Sequence, residues 1–390
     1  MPSLDRSNGC TESHVLSSPA VSSLPEAPVP PPPHAFERVR EFDALRGIAI
    51  LFVIYLHAFF GPWSTTELHE RRMLYLSLIV ANSAVPVFLF MSGFLSARDR
   101  SSTFSELIES RPRRVAMPLA LWMIAALGFE VWLAGGLTRD LVQAFALFDI
   151  AGQFYYVLVL LVLTAALYPL RHVEDDRLKW VVIAAFAVNL AMIAYYQENP
   201  MTGFWWSIAY RNPLVWVFAF TFGLYIGRTR GHVRFSRAII TAAALGMVAI
   251  AGLYMLRGER TGEYPNSYFG VTVFLFGVLG FIVYPAGLRA LDHTRLGRIL
   301  LAPFVALAPY AFGIYLIHKP YFVGYLSDRL VTERFLEADA SYMQFVIALF
   351  VVGAVGSIVA VLAMNTLFPR FSALMLGVEK PHPKPALPRD

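Results

Sequence analysis

Ten apolar runs, each close to the length that crosses a bilayer as a helix, leave this chain few folds to choose from. They fall at 44–62, 74–97, 115–134, 152–170, 178–196, 212–227, 238–256, 268–287, 303–326 and 343–367, separated by charged or Gly/Pro-containing breaks. The sixth is the shortest, with Arg211 and Pro213 at its start; it is expected there, or as a tilted or broken helix beginning near Trp205 and Trp206. In hydrocarbon each backbone N–H and C=O must be satisfied without water, which selects helices for runs of this length. The expected fold is an all-α integral membrane protein of about ten transmembrane helices. Composition agrees, because 57% of the residues are hydrophobic and only 15% charged, against about 25% charged in an average soluble domain.

Lysine and arginine placement gives the expected orientation. The N-terminal tail, the even-numbered connections and the C-terminal tail together carry 22 basic residues and the other connections 9, with Arg46 completing the total of 32. Arg98, Arg100, Arg111, Arg113 and Arg114 fall on the richer side, as do Arg228, Arg230, Arg234 and Arg237. By the positive-inside rule both termini are cytoplasmic, and one span more or fewer would reverse one of them. The net charge of +5 is thereby explained without a nucleic-acid partner.

Residues 1–40 are rich in Ser, Pro and Ala, with prolines from Pro28 to Pro33 interrupted only by Val29, and are expected to form a disordered cytoplasmic tail. They lack the basic start and apolar core of a secretory signal. The membrane domain is expected over 41–370 and a short cytoplasmic tail over 371–390. The single cysteine, Cys10, lies in the first tail, so there is no disulfide framework.

Within the first run, Arg46 and His57 are eleven residues apart. At roughly 100° per residue this is about three turns, so both side chains share one helix face, about 16 Å apart along the axis. An ionisable group at that depth costs several kcal/mol facing lipid, so such groups usually face a bundle interior or wet cavity. Arg46 is expected near the cytoplasmic boundary and His57 deeper. A histidine at that depth, with an unperturbed pKa of about 6.5, is suited to accept a proton at neutral pH. A histidine that merely hydrogen-bonds a neighbouring helix is the plainer alternative for His57.

The segment Phe42‑Asp43‑Ala44‑Leu45‑Arg46‑Gly47, followed by His57, resembles the opening helix of the membrane-bound acyltransferase-3 family. Three further segments are similar in order and position: Val87‑Phe88‑Leu89‑Phe90‑Met91‑Ser92‑Gly93‑Phe94‑Leu95, then Arg111‑Pro112‑Arg113‑Arg114 with Pro118 and Trp122, then Pro309 through Tyr315 to His318. The chain departs from the family pattern at Gln153‑Phe154‑Tyr155‑Tyr156, where a His/Trp‑Phe/Tyr‑Leu opening is common, and at Pro309, where serine or threonine is frequent. Members of the family move acyl groups, most often acetyl from acetyl-CoA, onto hydroxyls of sugars and other acceptors. The resemblance implies His57 and Arg46 as catalytic residues. It implies Arg46, Arg111, Arg113 and Arg114 as the groups that hold the phosphates of acyl-CoA, and His318 and Tyr315 as residues toward the acceptor.

Arginine's fixed fork of donors suits phosphate oxygens, yet membrane anchoring predicts the same arginines. His318 is expected near the outer end of the ninth run, to bind acceptor, assist proton transfer, or contact lipid headgroups. Ser92 and Gly93 are expected to allow close helix packing, Glu130 to reach the outer interface, and Trp205, Trp206 and many tyrosines to form an interfacial belt. The sequence has no phosphate-binding loop, no Gly‑x‑Ser‑x‑Gly elbow, no His‑Glu‑x‑x‑His pair and no His‑x‑x‑x‑x‑Asp box, so neither a metal nor a covalent serine is expected. The expected function is a bacterial-type inner-membrane O-acyltransferase that takes acyl-CoA from the cytoplasm and an envelope glycan, lipid-linked sugar or similar acceptor from the other side. Intramembrane Arg and His also suit a secondary transporter of a small anion or sugar, although the matching halves of many transporters are not visible.

Overall fold

In the computed structural model of the 390-residue chain, residues 39–59, 68–98, 112–199, 201–229, 235–261, 268–332 and 341–377 are described. Residues 1–38 of the expected N-terminal tail and 378–390 of the C-terminal one lie outside them, as do Cys10 and Arg111. The described residues are helical throughout, with no strand. The helices are α1 (Arg40–Phe59), α2 (Leu68–Ala81), α3 (Ala84–Arg98), α4 (Met117–Ala134), α5 (Arg139–Ala146), α6 (Tyr155–Ala166), α7 (Asp175–Glu198) and α8 (Gly203–Arg211). They continue as α9 (Val217–Thr229), α10 (Arg237–Thr261), α11 (Val271–Asp292), α12 (Arg295–Leu307), α13 (Ala311–Ile317), α14 (Tyr342–Leu367) and α15 (Pro369–Leu376).

Among the described residues, eight helical stretches are long and apolar enough to cross a membrane: α1, α2 with α3, α4, α7, α10, α11, the stretch Arg295–Val331, and α14. Two of the ten expected runs are short helices instead, the 12 residues of α6 and the 13 of α9. α6 starts only at Tyr155 and gives way to a 3₁₀ turn, Tyr168–His172, which has Pro169 in its first turn. The run around α9 begins earlier than its apolar stretch and is broken. α8 carries Trp205 and Trp206, and a 3₁₀ turn at Pro213–Val215 separates it from α9.

Two of the long runs are interrupted as well. Between α2 and α3, Asn82 donates its side-chain amide to the Leu78 carbonyl at 2.9 Å and Ser83 its hydroxyl to the Val80 carbonyl at 2.5 Å. The backbone N–H groups of Asn82 and Ser83 bond the same two carbonyls, and Pro86, four residues beyond Asn82, has no N–H to offer the Asn82 carbonyl, so the ladder lapses there and the helix turns. In the ninth run, a 3₁₀ turn at Ala308–Tyr310 separates α12 from α13, and a π-helical segment, His318–Leu326, follows α13. Lys319, at φ −131° and ψ 137°, is extended because Pro320 disfavours the helical region for the residue before it. His318 therefore stands at a break inside this stretch and not near its outer end.

α1 is the central element, in contact with α2, α3, α11, α12, α13 and α14. Its acidic first turn is tied to the end of α11, where Arg40 Nε meets Asp292 at 2.8 Å and Glu41 pairs with Arg289. At Gly47 the helix lies directly on the backbone of α12, since a Cβ there would run into the Phe304 carbonyl. α3 and α9 cross still more tightly. A Cβ on Gly93 would strike the carbonyl of Phe220, and one on Gly223 the carbonyl of Phe90. Small residues let membrane helices approach this closely, which is the packing role expected for Gly93. Outward faces are apolar: on α10, Leu245 is 65% exposed and Val248 71%, as suits a lipid-facing helix.

Gly223→Val should destabilise the protein by about 1–3 kcal/mol or more, because backbone atoms cannot give way as a flexible side chain does. Gly128→Ala, where nothing lies within 4 Å of the added atom, is the control. Thermal unfolding in detergent reads both, and a Gly223→Val protein that melts with the wild type would refute the reciprocal glycine contact.

Candidate active site

His57 ends α1 and His318 begins the irregular segment after α13, so the two breaks in regular structure bring together residues 261 positions apart. His57 Nδ1 and His318 Nε2 are 3.0 Å apart. Nδ1 of His57 is also 3.0 Å from the Val53 carbonyl, and Nδ1 of His318 is 2.8 Å from the Tyr315 carbonyl and 3.3 Å from that of Ile314.

These contacts fix the direction of the hydrogen bonds when both rings are neutral. A carbonyl only accepts, so His318 carries its hydrogen on Nδ1, and its Nε2 is a bare acceptor. His57 Nδ1 then donates, shared between Val53 and His318. The remaining nitrogen, His57 Nε2, has an open lone pair and no hydrogen bond among the described residues. One ring thus orients the other, as a third group orients the histidine of a catalytic triad.

His57 lies on the wall of a cavity of about 250 Å³, lined also by Val53, Leu56, Asn82, Val85, Asp149, Gly152, Gln153, Tyr155, Tyr156, Trp206, Ser207, Tyr210, Arg211, Tyr268, Tyr315 and Lys319. The wall is unusually polar for a helical bundle. Asp149 accepts from the Ser207 hydroxyl at 2.6 Å and pairs with Arg211 at 3.2 Å. Arg211 also donates Nε to the carbonyl of Leu147 and Nη1 to that of Ser207. The turn that delivers Asp149 has Phe148 at φ 58°, a left-handed conformation that costs a residue with a Cβ roughly 1–2 kcal/mol, and Gly152 at φ 72°, where glycine is free of that cost. The amide nitrogen of Gln153 donates to the Lys319 carbonyl at 2.7 Å, and the Tyr315 hydroxyl donates to the Gln153 carbonyl. Aromatic rings close the rest, with Tyr155 and Tyr210 centroids 5.3 Å apart, Trp206 and Tyr210 5.1 Å, and Tyr156 and Tyr315 5.6 Å.

The sequence-derived residues fall in three places. His57, His318 and Tyr315 come together. His318 is fully enclosed, both of its nitrogens are engaged, and it stands behind His57, so contact with lipid headgroups is ruled out. Tyr315 supplies a ring to the cavity and a carbonyl to His318. Arg46 is half-buried on α1 and is not on the cavity wall. Its guanidinium acts electrostatically on the hydroxyl of Tyr156, which belongs to the wall. Arg113 and Arg114 lie in the π-helical turn Pro112–Ala116 before α4, Arg114 exposed. Arg111 is outside the described residues.

Other expectations change. Tyr155 and Tyr156 are buried cavity residues and not belt residues, while Trp205, 63% exposed, keeps an outward position. Glu130 is turned toward Lys319 and Tyr321. Asp149, Arg211, Ser207 and Lys319 were not singled out. The signal available for them was an Asp and an Arg next to apolar runs in connections otherwise short of charge.

The family now follows. The acyltransferase-domain family of the acyltransferase-3 type matches residues 39–365, from the residue before α1 to the last turn of α14, and the chain belongs to it. No curated protein and no solved structure matches the chain. The protein is an acyltransferase with several membrane-crossing helices, of a family that generally acylates hydroxyls.

The hydrogen-bond polarity is directly measurable. In ¹⁵N spectra of the histidine-labelled protein, recorded where both rings are neutral, His57 and His318 should each carry hydrogen on Nδ1. A hydrogen on Nε2 of His57 would overturn the assignment of that nitrogen as the open base.

Proposed function

We propose that this protein is a membrane O-acyltransferase that moves an acyl group, acetyl in the first instance, from cytoplasmic acyl-CoA to a hydroxyl of an envelope glycan, lipid-linked sugar or similar acceptor on the opposite side. The observation that carries the proposal is the open Nε2 of His57 on a polar, hydroxyl-rich cavity, with its ring held by His318 at 3.0 Å. Nε2 takes the proton of the acceptor hydroxyl as that oxygen attacks the thioester carbonyl, and returns it to the departing CoA sulfur. His318 accepts the other N–H of the imidazolium formed in between, so its part is to assist proton transfer. No metal enters this route.

Arg46 serves the donor. Its charge acts on Tyr156 of the cavity wall, so it suits phosphate or pantetheine oxygens arriving from the arginine-rich end. Arg111, Arg113 and Arg114, ahead of α4, take the nucleotide phosphates in the same reading. Tyr315, with the aromatic wall and Asp149, faces the acceptor. The topology proposed is ten membrane passes, with α6 and the broken α8–α9 element counted as short ones, both termini cytoplasmic, in a bacterial-type inner membrane.

Detergent-solubilised protein with radiolabelled acetyl-CoA and a membrane glycan extract should release CoA and label the glycan. His57→Ala should lose activity by at least about 100-fold while expressing normally. Arg46→Ala should raise the KM for acetyl-CoA about tenfold with a smaller change in kcat. Wild-type affinity for CoA in the Arg46 variant removes that residue from the donor site. Absence of CoA release with several acyl-CoAs, together with substrate flux in liposomes, would replace the enzyme reading with transport.

A further inference from the structure

A thioester attacked by an alcohol places a full negative charge on the former carbonyl oxygen, and the base at His57 does nothing for that charge. Enzymes of this chemistry aim a donor or cation at it, usually a large contribution to the rate. Two cations line the cavity that holds His57, Arg211 and Lys319. Arg211 is balanced by a carboxylate in contact with it, with Nε on the Leu147 carbonyl, Nη1 on that of Ser207 and Nη2 3.2 Å from Asp149 in an ion pair, although Nη2 makes no hydrogen bond among the described residues. Lys319 is held differently. Its backbone is fixed by the bond from Gln153 to its carbonyl, and its extended conformation breaks the helix directly after His318. Its ammonium lies over Gly152, where an added Cβ would be 3.3 Å from Nζ. Among the described residues Nζ makes no hydrogen bond and closes no ion pair, though Asp149 and Glu130 act on it across a longer gap. His57 lies within its field.

We propose that Lys319 is a catalytic residue that stabilises the tetrahedral oxyanion. This rests on the acyl-transfer reading above and adds a residue to it. The step balances as follows. The acceptor oxygen gives its proton to His57 Nε2 and forms the new C–O bond, and the carbonyl π pair moves onto oxygen, which accepts a hydrogen bond from Nζ. The pair then returns, the C–S bond breaks, and the thiolate takes the proton from His57 Nε2 to give ester and free CoA. Lys319 keeps its protons throughout. Two carboxylates at a distance, neither in contact, make a cation tolerable in the empty cavity while leaving its hydrogens for the substrate.

Full-length protein in detergent, given radiolabelled acetyl-CoA and a membrane glycan extract, tests this with Lys319→Gln and Lys319→Arg. Lys319→Gln should lower kcat about 100-fold, the scale of losing one oxyanion donor. The KM for acetyl-CoA should change less than about threefold in the same variant, and Lys319→Arg should recover at least about tenfold in kcat. Equilibrium binding of CoA and the melting temperature should match wild type in both. A Lys319→Gln kcat within about threefold of wild type overturns the proposal. So does a loss that follows weakened CoA binding, or a lowered melting temperature that the arginine variant shares, since these mark a donor-binding or structural role. If the wild type itself transfers no acetyl, the acyl-transfer reading fails, an outcome distinct from an active wild type insensitive at Lys319.

Discussion

Everything around the cavity depends on how two imidazoles are satisfied where water is scarce. A buried polar nitrogen without a partner costs about 1–3 kcal/mol, and the cost rises where nothing else can hydrogen-bond. His318 meets this with a carbonyl on one side and His57 on the other, and His57 with a carbonyl and His318. One nitrogen of the four is left over, Nε2 of His57, and it belongs to the ring whose residue lines the cavity. The Ile314 carbonyl also takes the backbone N–H of His318, and the Tyr315 carbonyl is the nearer acceptor for His318 Nδ1 at 2.8 Å. The extended Lys319 follows directly, so an irregularity in the chain adjoins the ring that orients His57.

The same logic extends to the interruptions elsewhere. Non-helical backbone at membrane depth is tolerated only where protein or a wet cavity covers it. Asn82 stands at the break in the second run, Asp149 and Gln153 in the turn before α6, Arg211 at the end of α8 and Lys319 in the break of the ninth, and all five line the one cavity. The polar cavity and the irregular backbone need each other. The rigid parts of the bundle supply the frame, with Gly47 on the backbone of α12 and Gly93 and Gly223 reciprocally on α9 and α3, so that α1 and α3 have little freedom to drift away from the site.

Much of this frame was legible in the sequence because hydropathy and length report the demands of hydrocarbon directly. Long runs such as α1, α7, α10 and α14 fall where expected, and glycine in Ser92‑Gly93 marked a close crossing. The breaks were less legible. Asn82 and Ser83 are compatible with a helix until Pro86 removes the N–H that would hold it, and only the three together turn the chain. His57 announced itself by standing in an apolar run. His318 and Tyr315 were reached through their resemblance to a family segment. Asp149, Arg211 and Lys319 were not picked out, because each is near the end of an apolar run, where a charge is ordinarily explained by the membrane boundary. Only the three-dimensional turn at Phe148 and Gly152 brings Asp149 back over the same space as Lys319.

The choice of a neutral partner for His57 follows from the location. A carboxylate in the place of His318 would hold an imidazolium more strongly, but a fully enclosed charge carries a desolvation cost of several kcal/mol that must be matched by contacts on every side. A second imidazole provides the same tautomeric control without that cost in the resting state. It also gives weaker support to the imidazolium once the proton has moved, so the negative charge that balances it has to come from elsewhere. In the tetrahedral intermediate that charge is on the substrate oxygen. A cation such as Lys319 is then consistent with a nearby imidazolium only while the oxyanion exists, with Asp149 and Glu130 balancing the lysine at other times. On the proposed acyl-transfer route the arrangement is more complementary to the charge distribution of the intermediate than to that of the empty site, which is the condition for accelerating the chemical step.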